Sequence, residues 1–314
     1  SNGIMRTRGE TKWGDDGKGL LVLAGGTLMT TNEGSGRGHM YFPFGSGTGI
    51  LMLTHADSYL GQNDSNGSIQ VPNDTNGMGQ IIVSNGMISA TEIDLGDAIN
   101  TLGEMFIYNA TSVLNRSGAA GLVIGTASRS TGLVVLAHSR ALLVATNGTG
   151  LVLGGTDSTR SNSYGQLVIS NGTLVTRGLR LGFGTADAGD VTLRDGTIEN
   201  RTNSSGGIGL IIGDGVRSTG RFVMASASSL VIATEGPAGT PTILGNSTGS
   251  IGYLTASNGT LNLLRLVVAN NGAGYVSLEN QAVMNVAEGL YMPNDSTGNG
   301  QGTGQVVLAS ADAV

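Results

Sequence analysis

The chain has 314 residues, of which 54 are Gly, 12% charged and 4% aromatic, against about 7% Gly and about 25% charged in ordinary soluble domains. With 39% hydrophobic residues and a formal net charge of only −6, it lacks the low hydrophobicity and high charge of a disordered chain, so the glycines mark turns in a folded one. Sixteen Lys and Arg residues form no basic stripe for phosphates, no run reaches the roughly 18 apolar residues of a spanning helix, and Cys is absent, so disulfides do not staple the fold.

In chain order, the opening "SNGIMRTRG" does not read as a signal peptide and matches the later "SNGTLVTRG" without its preceding strand. From there a glycine followed by an apolar run recurs at Gly19, Gly49, Gly79, Gly103, Gly132, Gly165, Gly189, Gly220, Gly252, Gly274 and Gly304, at spacings of 22 to 33 residues. The second and fourth residues after every one of these anchors are apolar, as in Leu167 and Ile169, while the positions between are mixed. That is a period-2 strand with one buried face. Six residues after the anchor the chain turns, through His55, Asn85, Asn109, His138, Asn171, Asp195, Asn258 and Asn280 among others, residue types that tolerate left-handed backbone or bond their own main chain. A second strand ("TLMTT", "MISAT", "TLVTR") and a third ("LRLGFG", "GLIIGDG", "GLVIGT") complete each unit. The chain closes on "GQVVLASADAV", a first strand with little of the second.

Taken locally, the Asn-Gly of "GQLVISNGTLVTR" is a hairpin signal. Three strands per unit argue otherwise, because in an up-and-down meander equivalent strands of successive units would alternate direction and lose their common neighbours. The pattern predicts an all-β fold, a right-handed three-sided parallel β-helix in which the rest of each lap is the crossover between stacked parallel strands. Some eleven laps at about 4.8 Å each give a rod roughly 50 Å long, one continuous domain over 1–314 that begins and ends in mid-lap with no polar cap.

The unit "GQLVISNGTL", with its variants "GQIIVSNGMI", "GYLTASNGTL" and "GLLVLAGGTL", resembles the glycine-rich repeats of bacterial autotransporter passengers and related giant secreted surface proteins. The resemblance runs over essentially the whole chain. It implies a β-helical stalk, fibre or adhesin outside the cell or on its surface; the amphipathic barrel region such proteins use for export has no counterpart here, so a passenger, processed subunit or excerpt is implied.

Candidate sites divide by chemistry. His55 and His138 share a corner position but lie about 14 Å apart, too far to share an ion, and His39 sits beside a third strand, so no metal site is expected. The acidic turns at Asp15, Asp16, Asn73, Asp74, Asp157, Asp187, Asp190, Asn294 and Asp295 offer oxygens for Ca²⁺, but without the strict nonapeptide of calcium β-rolls they read first as turn caps, and no cofactor is expected. Glu92 with Asp94, or Asp187 with Asp190, is the carboxylate pair a polysaccharide lyase or hydrolase would need, with no basic or aromatic platform evident beside either. Threonines do not keep the register an ice-binding face requires. The many Asn-x-Ser/Thr sites, Asn171 and Asn258 among them, suit corners as well as glycosylation.

Two features point to assembly. The outward position three after the anchor is apolar in eight laps, Val22, Met52, Ile82, Phe106, Val135, Val168, Val223 and Val307, an exposed stripe along the rod. The open ends would complete one another head to tail. The expected function is a secreted structural solenoid, not an enzyme, that builds an extracellular fibre, stalk or surface layer with itself as partner. The alternatives are an adhesin presenting a turn insertion, "GHMYFPFGSG" with Tyr41, Phe42 and Phe44, to a host surface or carbohydrate, and a polysaccharide-active enzyme.

Overall fold

A computed structural model describes residues 3–31, 38–62, 67–109, 111–115 (backbone), 121–146, 150–155, 161–201, 209–234, 241–292 and 302–309. Among these every regular element is a β-strand, and every named pairing between strands is parallel. The chain is a parallel β-solenoid. Its strands form three columns, and between the two ends each strand pairs with its equivalents one lap before and one lap after.

The anchor glycines set the register of the first column. Gly19 pairs with Gly49, Gly49 with Gly79, Gly79 with Gly103, and so on without a slip to Gly274 with Gly304. The Asn171-Gly172 turn is a corner, not a hairpin. The strand Tyr164–Thr176 runs through it and pairs in parallel on both sides of the bend. The second and third columns hold the shorter strands, such as Gly86–Ala90 and Ile93–Leu95.

Burial follows the pleat. The residues two and four after the anchor, from Leu51 and Leu53 through Leu167 and Ile169 to Leu254 and Ala256, have no exposed surface, apart from a trace at Val191. Inward residues of the third column, among them Ile93, Leu95, Leu179 and Leu181, meet them in one continuous core. Each such Leu or Ile contributes about 1.5–3 kcal/mol of burial, and stacking repeats that contribution in every lap.

The third corner explains why the anchor is always glycine. The backbone N–H just past the third strand donates to a carbonyl one lap earlier: Gly154 to Ile124 at 2.9 Å, Gly182 to Leu153 at 2.7 Å, Gly245 to Ile212 at 2.9 Å. The anchor of the next first strand lies on this hydrogen-bond column with its α-carbon facing inward. A β-carbon on Gly165 would stand 2.6 Å from the Gly154 nitrogen and 2.8 Å from the Leu153 α-carbon, and would overlap the Ile124 oxygen as well. No side chain fits there without prising the corner open.

Just before the anchor the chain passes through a left-handed residue in lap after lap: Asp16, Asn76, Asn100, Arg129, Asn162, Ala186 and Arg217 have φ between 49° and 61°. In several laps the next residue is a buried Ser or Thr whose hydroxyl closes the turn, as in Ser130 to the Ala127 carbonyl at 2.6 Å and, after Gly249, Ser250 to the Ser247 carbonyl at 2.7 Å. These turns bring the chain from the third column into the next first strand.

Two outcomes follow. Gly165→Ala destabilises by about 3 kcal/mol, as overpacking against backbone does, whereas Gly17→Ala, whose new β-carbon meets its nearest neighbour at 3.6 Å, changes stability by about 0.5 kcal/mol or less; denaturant unfolding of the two variants checks the contrast. Ala186→Gly removes a left-handed alanine from an exposed turn and raises stability by about 0.5–1 kcal/mol, read as a higher midpoint in the same assay.

Candidate functional site

The outer face of the first column is the broadest surface built by the repeat, and residues from different laps meet there because the anchors are in register. Val22, Met52, Ile82, Phe106, Val135, Val168, Val223 and Val307 fall in one row on that face. Val22 and Val307, in the first and last strands of the column, are 45% and 38% exposed; the residues between are half-buried by their lap neighbours. In the early laps the adjoining rows are mixed, Lys18, Thr48 and Gln80 standing among Leu20, Ile50 and Met78, of which Leu20 and Met78 are well exposed.

Towards the later laps the same face changes character. Asp190, Arg221, Tyr253 and Tyr275 occupy one row, each paired to the next. The Tyr253 and Tyr275 rings stack at 5.1 Å with 15° between planes, and the Arg221 guanidinium lies 5.6 Å from the Tyr253 ring centre. Tyr164, one row over, donates its hydroxyl to Asp190 Oδ2 at 2.8 Å. Burial, then the hydrogen bond and charge of Asp190, push the Tyr164 phenol well above its ordinary pKa of 10.0, and Arg221 acts in the opposite sense. An aromatic and basic platform therefore does accompany Asp190, although the sequence shows none beside it, because its members come from four different laps.

The carboxylate pairs do not form dyads of the kind expected. Asp187 is buried in the turn, 1% exposed, and accepts the Ser163 N–H at 2.8 Å, while Asp190 stands on the outer face of the following strand. The pleat sends the two to opposite sides of the sheet. Glu92 and Asp94 lie on the same side of the third column, but Asp94 is only 4% exposed. Among the described residues, no three His, Cys, Asp or Glu side chains gather as a metal site would require. Asp157, Asn294 and Asp295 lie outside the described residues.

The corner residues divide by chemistry. His55 and His138 are exposed and do the same job: ring Nδ1 accepts the main-chain N–H two residues on, of Asp57 at 3.1 Å and of Arg140 at 3.2 Å. Asn109 donates to Asn85 at 3.2 Å, lap on lap. Asp195 accepts from Ser228, Asn258 reaches the Ala225 carbonyl at 3.5 Å, Asn280 is left-handed with φ of 52°, and Asn171 is exposed. A longer amide ladder stands at the third corner instead, where Asn270 donates to Asn246 at 3.0 Å and Asn246 to Asp214 at 2.7 Å. Buried Asp214 also pairs with Arg180, whose guanidinium lies 3.7 Å from the Phe183 ring centre. The signal was in the sequence, as the residue directly after the third-strand glycine in "IIGDG" and "ILGNS".

The segment holding Tyr41, Phe42 and Phe44 is not a displayed insertion. Met40–Tyr41 is the third-column strand of its lap, paired with Thr11–Lys12 on one side and with Ile69 and Gln70 on the other. Phe42 is fully buried and stacks on Trp13 at 4.8 Å, Tyr41 is 7% exposed, and the Lys12 ammonium sits 3.7 Å from the centre of the half-buried Phe44 ring. Of the three aromatics, Phe42 fills the core, while Tyr41 and Phe44 pack around Lys12 outside it. His39 lies just before the same strand, buried, with Nδ1 2.9 Å from the Ser68 hydroxyl.

Replacing Asp190 by Ala lowers the Tyr164 pKa without returning it to its ordinary value, because burial remains; ultraviolet titration of tyrosinate against pH measures it. The sign for stability also follows. A phenol whose folded pKa lies above the unfolded one stabilises fully below pH 10, and this contribution is lost as pH rises beyond that value. Among the described residues no helix is long and apolar enough to cross a membrane. No family model matches the chain, and no curated protein or solved structure does.

Proposed function

We propose that the chain is a structural β-solenoid, a stiff element of a fibre, stalk or layer outside the cell or on its surface. The carrying observation is the unbroken register of the anchor column from Gly19 to Gly304, with a dry apolar core along it. A parallel ladder of this kind resists bending and proteolysis, because every interior strand is paired on both edges and its inner side chains are enclosed. The row from Val22 to Val307, apolar in eight of its eleven laps and broken by Thr192, Thr255 and Ser277, supports lateral packing of rods against one another. The outermost strands expose residues of the core class, Met5 at 56% and Leu308 at 59%.

The adhesin reading loses its sequence support with the burial of Phe42, and the hydrolase reading loses the Asp187 and Asp190 pair to opposite faces. Electron microscopy of the purified chain at rising concentration tests the proposal. Threads or side-by-side bundles of rods are expected. Ile82→Lys with Val135→Lys, in the middle of the apolar row, is expected to abolish bundling while leaving single rods of unchanged circular dichroism. Dispersed rods of roughly 50 Å at all concentrations would defeat the assembly reading.

A further inference from the structure

Away from the first column, the outer face of the second carries a groove of about 500 Å³. Its floor is laid by lap-paired residues: Leu142 beside Thr173, and Val144 beside Val175 beside Glu199. Arg140 stands at the end nearest the first corner, and Arg201 at the opposite end. Arg201 pairs with Glu199 and is more than half exposed. The Arg140 side chain is exposed and, among the described residues, meets no carboxylate within ion-pair distance. In a chain whose net charge is −6, a groove lined by two exposed guanidinium groups against one carboxylate, Glu199, is a local reversal of sign.

From this juxtaposition we infer that the groove binds an acidic polysaccharide bearing carboxylates, of the polyuronate class. Each guanidinium presents a planar fork that matches a carboxylate in two parallel hydrogen bonds. The Leu142, Val144 and Val175 side chains take the apolar face of a sugar ring, and the Thr173 hydroxyl offers both a donor and an acceptor to the ring hydroxyls. An extended acidic peptide fits less well. Peptides recognised by sheets add to an open edge, and here the floor strands are paired on both edges, Leu142 between Ser112 and Thr173, and Thr173 between Leu142 and Thr197. Recognition must therefore come from side chains, which suits a ligand carrying its own carboxylates and hydroxyls. Glu199 restrains Arg201 until a competing carboxylate arrives.

Titration of the intact chain with sodium polygalacturonate at low and at physiological salt, followed calorimetrically, tests this. Dextran serves as the neutral comparison and polyglutamate as the acidic peptide. Polygalacturonate is expected to bind and dextran not to, with polyglutamate at least tenfold weaker. Arg140→Ala and Arg140→Gln, both at an exposed position, are expected to weaken binding about tenfold with unchanged circular dichroism. Glu199→Gln, which frees Arg201, is expected to tighten it severalfold. Absent binding, equal binding of polyglutamate, Arg140 variants that bind like the parent, or a weaker-binding Glu199→Gln variant would each overturn the assignment.

Discussion

The fold depends on a contact between main chains, not between side chains. Where the third strand ends, its next N–H bonds to the lap before, and the first strand of the following lap must start directly against that bond. Only an α-carbon without a side chain can lie there, so the glycine is fixed, and with it the phase of the strand. A slip of one residue would put a side chain on the hydrogen-bond column and would also turn the apolar set outward. Two penalties enforce one register, which is why lap lengths varying between 22 and 33 residues leave the columns undisturbed.

Locked register also makes the outer surface a grid. A residue at a given offset from its anchor stands beside the same offset in the neighbouring laps, about 4.8 Å away. Chemistry dispersed in the sequence is thereby gathered: Asp190, Arg221, Tyr253 and Tyr275 span 86 positions in the chain and make one continuous row. The stacked tyrosines and the arginine beside them also stiffen the sheet, since aromatic neighbours of this kind contribute about 0.5–1.5 kcal/mol beyond their burial.

The same geometry decides what sequence reasoning could reach. Anchor, strand and corner were legible because they recur at constant offsets, and a period-2 pattern declares its inner face without reference to partners. Met40–Phe44 was misread because its aromatics look like a displayed loop, whereas two of the five, Met40 and Phe42, fill the core of a lap whose strand is only two residues long. Asp187 and Asp190 looked like a pair because separation along the chain is a poor guide when the intervening residues pass from a turn into a pleated strand. The third-corner ladder through Asp214, Asn246 and Asn270 keeps no constant distance from the anchor ahead of the first strand, because lap lengths differ, and is in register only with the glycine that ends the third strand.

A solenoid of this kind separates stability from recognition more completely than a globular domain does. Inward positions are bound by volume and by the close approach at the anchor, and corners by left-handed backbone and hydroxyl caps, so neither can change chemistry freely. Outward positions carry only a mild demand for residues that suit a strand. Any polymer lying along the rod meets side chains at the lap spacing, while a peptide seeking a free edge finds none between the first and last laps. The outer face is therefore the part of the repeat whose chemistry can vary from lap to lap without disturbing the core or the register.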